Sequence, residues 1–463
     1  MAKIADRGLE NREIVLDVLL EVLERGGFVH VVLNQALAKY QYLDKADRAF
    51  ITRATDGTLE YLIQIDHIIN SYSKTKTQKM KPVIRNLLRF SVYQILYMDR
   101  VPDSAVCNEA VKLAVKRRFQ GLKGFVNGVL RTIAREKEHI TFEEPWLALS
   151  LPQWLYELWV SRYGEEITRK MGEAFLKENP TTVRVNASAV PGSGGAEAST
   201  EAVLKSLKAQ GVQVQPVMGR EDLLYLKGYD YLDGLEAFQN GWIQVQDASS
   251  ALVGELAAPT PGSRVIDVCA APGGKSLHIA DLMKGTGMVE ARDLTFQKVQ
   301  LIEENILRCG FENIRAVVWD ALEEDKEAVE QADLVLADLP CSGLGILGRK
   351  PDIKHNMTME QMKELAELQR RMLSVVWRYV KPGGRLVYST CTIDPMENED
   401  NARWFMENFP FDPVDLTLYL GKDYGQALLK EGMIQFLPGV HPMDGFFISV
   451  FTRRRDGDGG AVC

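Results

Sequence analysis

Apolar side chains in the first 140 residues recur at three- and four-residue spacing, as in Ile14, Val15, Val18, Leu19, Val22 and Leu23, and again in Val83, Ile84, Leu87, Leu88 and Val92. That is the period of an amphipathic helix, and no alternating stretch interrupts it, so residues 1–140 are expected to be all-helical. From 141 an aromatic-rich stretch interrupted by two prolines leads into a further helical segment that ends near 180. The period then changes. TVRVNAS (182–188) and VQVQPV (212–217) alternate as half-buried strands do, with a small-residue loop (189–199) and a helical EAVLKSLKAQG (201–211) between them. A small α+β subdomain ending near Gly241 fits this pattern. From about 262 the chain repeats strand, turn and helix. RVIDVCA, GMVEARD, RAVVWD, DLVLADLP and GRLVYST are short apolar strands, and helical segments at 296–309 and 359–380 separate several of them. Such alternation predicts a parallel, doubly wound sheet. The chain is therefore expected to be multidomain: all-α over 1–140, an α+β connector over 141–240 and an α/β domain over 241–455.

Composition agrees with several domains. A chain of 463 residues, 46% hydrophobic and 25% charged, is neither disordered, collagenous nor a coiled coil. No apolar run approaches the ~18 residues of a membrane span, and the start lacks the pattern of a signal peptide, so no membrane association and a cytoplasmic location are expected. The six cysteines form no CxxC pair, which argues against a disulfide framework and against a metal site. Charge is unevenly placed, with a net +7 over 1–140 and −15 over the remainder. Residues 74–135 hold 14 basic side chains against Asp99, Asp103 and Glu109. A face of this kind suits a polyanion, although charge alone does not separate that role from an ordinary solvated helix surface. LDKADRAFITRATDGTLEYLIQID (43–66), RNLLRFSVYQILYMDRVPDSAVCNEAVKLA (85–114) and GFVNGVLR (124–131) resemble the NusB family of helical RNA-binding domains. The resemblance implies that the basic region meets RNA.

Candidate chemistry gathers in the α/β part. After its first strand the turn runs from Asp267 through Cys269, Ala270, Ala271, Pro272, Gly273 and Gly274 to Lys275 and Ser276. Glycines there admit a ligand close to the backbone, and the following helix offers its amino end to a polar group. The turn is not GxGxxG, and it misses the phosphate loop because Cys269 stands where that motif has its first glycine. Asp293, Asp320 and Asp338 close the second, third and fourth strands, which puts four carboxylates at the edge where open α/β sheets bind ligands. Cys341, in Asp338-Leu-Pro-Cys-Ser-Gly343, and Cys391, in Ser389-Thr-Cys-Thr392, follow the fourth and fifth strands. On neighbouring strands both sulfurs would address one substrate. Cys107, Cys309 and Cys463 read as structural thiols.

DVCAAPGGKS, ADLPCSGLGILGRKPDIK, LVYSTCTIDPMENE, LPGVHPMDGFF (437–447) and WIQVQDASSALV (242–253) together are similar to the S-adenosylmethionine-dependent RNA cytosine-5 methyltransferases. The resemblance implies a Rossmann-like class I methyltransferase domain and, joined to a NusB-like domain, 16S ribosomal RNA as substrate. It implies S-adenosyl-L-methionine held by Cys269 to Lys275 with Asp293 on the ribose, Asp320 near the adenine amine and Asp338 at the transferring region. It also makes Cys391 the nucleophile, Cys341 a residue that assists product release and Asp338 a contact to the ring. Cytosine C5 needs such help because it is a poor nucleophile until a thiolate adds to C6. Spacing alone does not choose between the cysteines, since DNA cytosine methyltransferases use the cysteine of a Pro-Cys pair. A rival reading, an RNA-binding antitermination-type factor with a degenerate methyltransferase domain, sits poorly with retention of both cysteines and Lys275. An amino-methylating enzyme would favour Asn/Asp-Pro-Pro-aromatic where this chain has Asp338-Leu-Pro-Cys341.

Overall fold

The computed structural model describes residues 2–40, 42–192, 195–218, 220–419 and 431–455, and Cys463 lies outside them. The chain forms two compact units, one of residues 1–178 with 347–356 and one of 179–346 with 357–463.

The first unit is helical, as the 3.6-residue period predicts. Helices Ala2–Arg25, Lys45–Glu60, Leu62–Tyr72, Pro82–Tyr97, Asp103–Lys116 and Lys123–Glu136 surround a core that includes Val15, Leu19, Leu87, Leu88, Phe90, Leu113 and Ile133. Helix Pro82–Tyr97 is buried on most of its surface and begins with proline at its first turn, where no backbone donor is lost. Helices Gln153–Tyr163 and Glu165–Phe175 belong to the same unit. So does the later segment Leu347–Asn356. Its Lys354 donates to Glu60 O (2.6 Å) and its His355 ring meets Leu59 O (2.8 Å), which satisfies carbonyls at the carboxyl end of helix Lys45–Glu60. Burial pushes Lys354 down to about 7.

In the second unit a four-stranded antiparallel sheet comprises β1 (Thr181–Val185), β2 (Gln213–Val217), β3 (Arg220–Lys227) and β4 (Ile243–Val245), in the order β2-β3-β1-β4. The alternation of β1 and β2 is visible in sequence. The charged start of β3 and the three residues of β4 hide the other two. Arg184 of β1 is fully buried and reaches Asp281 (3.0 Å), Gln246 (2.8 Å) and Asn186 (2.6 Å), which ties this sheet to helix Gly274–Leu282.

The larger sheet contains β5 (Arg264–Asp267), β6 (Met288–Asp293), β7 (Ile314–Val318), β8 (Ala332–Asp338), β9 (Val380–Thr390), β10 (Phe411–Pro413), β11 (Met433–Phe436) and β12 (Phe446–Arg453). Its order is β10-β12-β9-β8-β5-β6-β7, with β11 on β12. Strands β5 to β9 are parallel, as expected. Pairing around β12, a strand outside the five read from sequence, is antiparallel, so the sheet as a whole is mixed. The buried run of β12 carries no information about its direction. Glu290 and Arg292 make β6 polar in sequence, yet both are buried: Arg292 bonds Glu290 (2.6 Å) and Asp325 (2.6 Å) and lies over the rings of Trp319 and Tyr379. A paired charge can occupy an interior strand where a lone one cannot. Chain order reverses beside β5, where β6 and β8 flank it, and that places the crevice.

Candidate active site

The register of β8 and β9 pairs Asp338 with Ser389. Both strands end together, and the chain turns from each into a thiol. Cys341 Sγ and Cys391 Sγ lie 3.3 Å apart, so neighbouring strands deliver the two cysteines to one point. Beside them Asp338 accepts from Lys275 Nζ (2.7 Å) at one oxygen and from Ser389 Oγ (2.7 Å) at the other. Burial presses the Lys275 ammonium down, but Asp338, Asp267 and Cys391 outweigh it and hold its pKa above the ordinary value. The hydrogen bond with Cys391, and then burial, hold Cys341 well above the ordinary thiol range.

Several backbone bonds fasten these segments. Gly345 N donates to Cys391 O (3.0 Å) and Gly445 N to Gly345 O (2.9 Å), which joins the three loops that follow β8, follow β9 and precede β12. Ser342 Oγ meets Thr392 Oγ1 at 2.7 Å. The pattern PC…TC signals the thiols, and Ser389, Glu397 and Asn398 fall within the motif LVYSTCTIDPMENE, but the sequence does not show their contacts, which cross from one loop to another.

The turn after β5 forms a cleft lined by Val245, Ser250, Asp267, Cys269 to Pro272, Gly274, Lys275 and Asp338. Gly273 takes φ 102°, a conformation that disfavours any side chain, and starts helix Gly274–Leu282. Asp267 is buried. It accepts from Ser276 Oγ (2.7 Å) through Oδ2, while Oδ1 has no hydrogen-bond partner among the described residues. Burial lifts its pKa to about 7. Asp293, at the end of β6, accepts from Ala271 N (3.0 Å) and Leu294 N (2.8 Å) and pairs with Lys298 (3.0 Å), so it also braces the turn. Asp320 stands beyond β7, is not among the residues lining this cleft, and accepts from Leu322 N (2.9 Å). Cys107 and Cys309 are buried elsewhere.

In the helical unit the basic excess divides into two kinds. Arg85 pairs with Glu24 (2.5 Å), Arg89 with Asp66 (2.6 Å), and Arg117 with Asp17 (2.6 Å) and Glu13 (3.1 Å); Lys116 also pairs with Glu13 (2.6 Å). Those charges are spent on structure. Lys74, Lys76, Lys79 and Lys81 are all exposed, on a loop anchored by buried Thr77 and Met80 and by Asn70, which accepts from Thr77 N (2.7 Å). None of the four has an ion pair among the described residues. Nor is any described helix long and apolar enough to cross a membrane.

Comparison with known proteins bears on all three parts. Residues 9–135 match the NusB family, 151–229 the ferredoxin-like domain of RsmF/B-like methyltransferases, and 255–452 the 16S rRNA methyltransferase RsmB/F family. The chain is 37% identical to the probable ribosomal RNA small subunit methyltransferase B of Bacillus subtilis, covering 96% of this chain and 98% of that one. It is 29% identical to the ribosomal RNA small subunit methyltransferase B of Cronobacter sakazakii, over 97% and 100%. Among solved structures, PH0851 superposes with a TM-score of 0.81 at 27% identity, covering 96% of this chain and 98% of that one. A methyltransferase homologue from Pyrococcus horikoshii gives 0.57 at 29%, over 67% and 97%. From its helical unit to the paired thiols at its sheet edge, the chain belongs to the ribosomal RNA small subunit methyltransferase B family.

Proposed function

We propose that this protein transfers a methyl group from S-adenosyl-L-methionine to C5 of a cytosine in 16S ribosomal RNA, through a covalent bond between Cys391 and C6. The observation that carries the reading is the pair of sulfurs 3.3 Å apart beside Asp338 and Lys275. The names of the relatives support ribosomal RNA of the small subunit as the substrate. A cation-bearing cofactor fits the cleft, because the unpartnered oxygen of Asp267 and the carboxylate of Asp338 are acceptors, while Asp293 stands at the end of the next strand. S-adenosyl-L-methionine bound by the 269–275 turn, with Asp293 on its ribose and Asp320 near its adenine, would supply the methyl group.

The protein's own groups do the rest. The Cys391 thiolate adds to C6, and the electron pair of the C5–C6 bond moves into the ring to make C5 nucleophilic. The Lys275–Asp338 pair holds a proton at the site and stabilises the polar edge of the ring as charge develops there. Once C5 carries the methyl group, the C5–H bond breaks, its proton passes to solvent and its electron pair re-forms the C5–C6 double bond, while the C6–S bond breaks and its electrons return to Cys391 sulfur. Cys341 assists that release. The helical unit binds the RNA backbone, and its exposed lysines at 74–81, none of them in an ion pair among the described residues, are suited to phosphate.

Denaturing electrophoresis with labelled RNA tests the covalent step. Cys341→Ala with cofactor present is expected to accumulate a denaturant-resistant protein–RNA adduct, whereas Cys391→Ala gives neither adduct nor product. The reverse pattern exchanges the two roles. Normal methylation by both variants refutes thiol catalysis.

A further inference from the structure

Two chemically identical thiols in contact cannot both carry charge, so something must decide which one keeps the proton. We propose that Glu397 is a positioning residue that holds the proton on Cys341 and thereby leaves the negative charge on Cys391, an inference that rests on the covalent reading above. Glu397 is fully buried behind the Cys341 segment. Its Oε2 accepts from Ser342 N (2.9 Å), the amide that follows Cys341, and from Gln369 Nε2 (2.9 Å). Gln369 also donates to Pro340 O (3.0 Å), the carbonyl that precedes Cys341, so the two side chains bracket that residue. Gln369 has no freedom to turn over, because its Oε1 accepts from Tyr388 OH (2.9 Å) and Asn401 Nδ2 (2.9 Å).

The next residue serves the other thiol without adding charge. Asn398 accepts from Thr390 Oγ1 (2.5 Å) and donates to Thr392 O (3.0 Å), on either side of Cys391. One dipeptide therefore holds both cysteine segments, with a carboxyl group behind Cys341, its pKa raised by burial against the lowering effect of its hydrogen bonds from Ser342 and Gln369, and a neutral amide behind Cys391. A cation, Lys275, interacts with Cys391. The charged and titratable groups that interact with Cys341 are Cys391 at the end of β9, Glu397, and Tyr388 within β9; Asp338 and Lys275 pair with each other (2.7 Å), and Arg370 is turned to Asn401 (2.7 Å). The sulfur of Cys391 and then burial favour the protonated form of Cys341, and Glu397 adds to them. A thiol so placed donates its hydrogen to the neighbouring thiolate across 3.3 Å.

Glu397→Gln keeps the shape and an acceptor for Ser342 N but removes the charge. Alkylation of the full-length protein, followed at each cysteine by mass spectrometry across pH, reads the result. The midpoint for Cys341 should fall by about one pH unit, that for Cys391 should move less, and calorimetric affinity for S-adenosyl-L-methionine should stay within about twofold. Glu397→Asp, which retracts the charge, should give a smaller fall in the same direction and serves if the Gln variant does not fold. An unchanged Cys341 midpoint in either folded variant, or equal movement of both thiols, overturns the proposal. Adduct formation in Cys341→Ala is independent of Glu397, so failure here leaves the covalent reading standing, and loss of that adduct would strike the reading itself.

Discussion

Gly345 sits where three loops meet, and replacing it with alanine shows how tightly the thiol pair is held. A Cβ there would lie 2.1 Å from Gly445 O, 2.6 Å from Gly445 C and 2.8 Å from Cys391 O. All three atoms are backbone, so no side chain can swing aside. Relief requires the 443–445 loop to retreat by about 1 Å and the Cys391 carbonyl to follow by several tenths. Overpacking of this kind costs about 1–3 kcal/mol, which in a domain of this size lowers Tm by roughly 2–10 °C. Because the Cys391 carbonyl moves with its thiol, and misplacement of about 1 Å near reacting atoms can cost 10²-fold, kcat should fall about 100-fold. The cleft at the 269–275 turn contains none of these atoms, so cofactor affinity should stay within about threefold. Transfer of labelled methyl groups to RNA, calorimetry and a thermal melt measure the three quantities. Gly128→Ala, at a helical position with nothing within 4 Å, is the control and should lose nothing. Activity of Gly345→Ala within threefold of the native protein at an unchanged Tm would refute the claim that the backbone contacts set the thiol geometry.

Three further outcomes follow from other parts of the molecule. Asp293→Ala should weaken S-adenosyl-L-methionine binding by about 1–3 kcal/mol in calorimetry while the domain stays folded, because Ala271 N and Leu294 N lose a buried acceptor. Changing Lys74, Lys76, Lys79 and Lys81 together to glutamine should weaken RNA binding and reduce the slope of log K against log salt by roughly 3, whereas Arg85→Gln should chiefly lower stability. Lys354 has a folded-state pKa of about 7 against an unfolded value near 10.4, so the folded state binds fewer protons across that window and stability rises with pH through it. Lys354→Met should therefore stabilise the helical unit most below pH 7, by up to about 5 kcal/mol less the lost bond to Glu60 O, with the gain shrinking toward pH 10 in chemical denaturation.

Periodicity determined much of this protein. The helical stripes of Ile14 to Leu23 and Val83 to Val92, and the five apolar strands from 264 to 390, are local signals in which each residue's partners lie three, four or two positions away. Position at strand ends likewise placed Asp267, Asp293, Asp338, Cys341 and Cys391 on one edge. Tertiary structure decided what local pattern cannot encode. The direction of β12 depends on which neighbour it pairs with, and the buried Glu290 and Arg292 are tolerable only because Asp325, Arg315 and two aromatic rings converge on them. Segment 347–356 lies between strands of the α/β part in sequence, yet it joins the helical unit because free carbonyls at a helix end accept its Lys354 and His355. Likewise, a count of charge could not tell Arg85 and Arg89, committed to Glu24 and Asp66, from the exposed lysines at 74–81. The thiol site depends on the same physics: Ser389, Glu397 and Asn398 act on residues up to 55 positions away, across loops that only the packed sheet brings together.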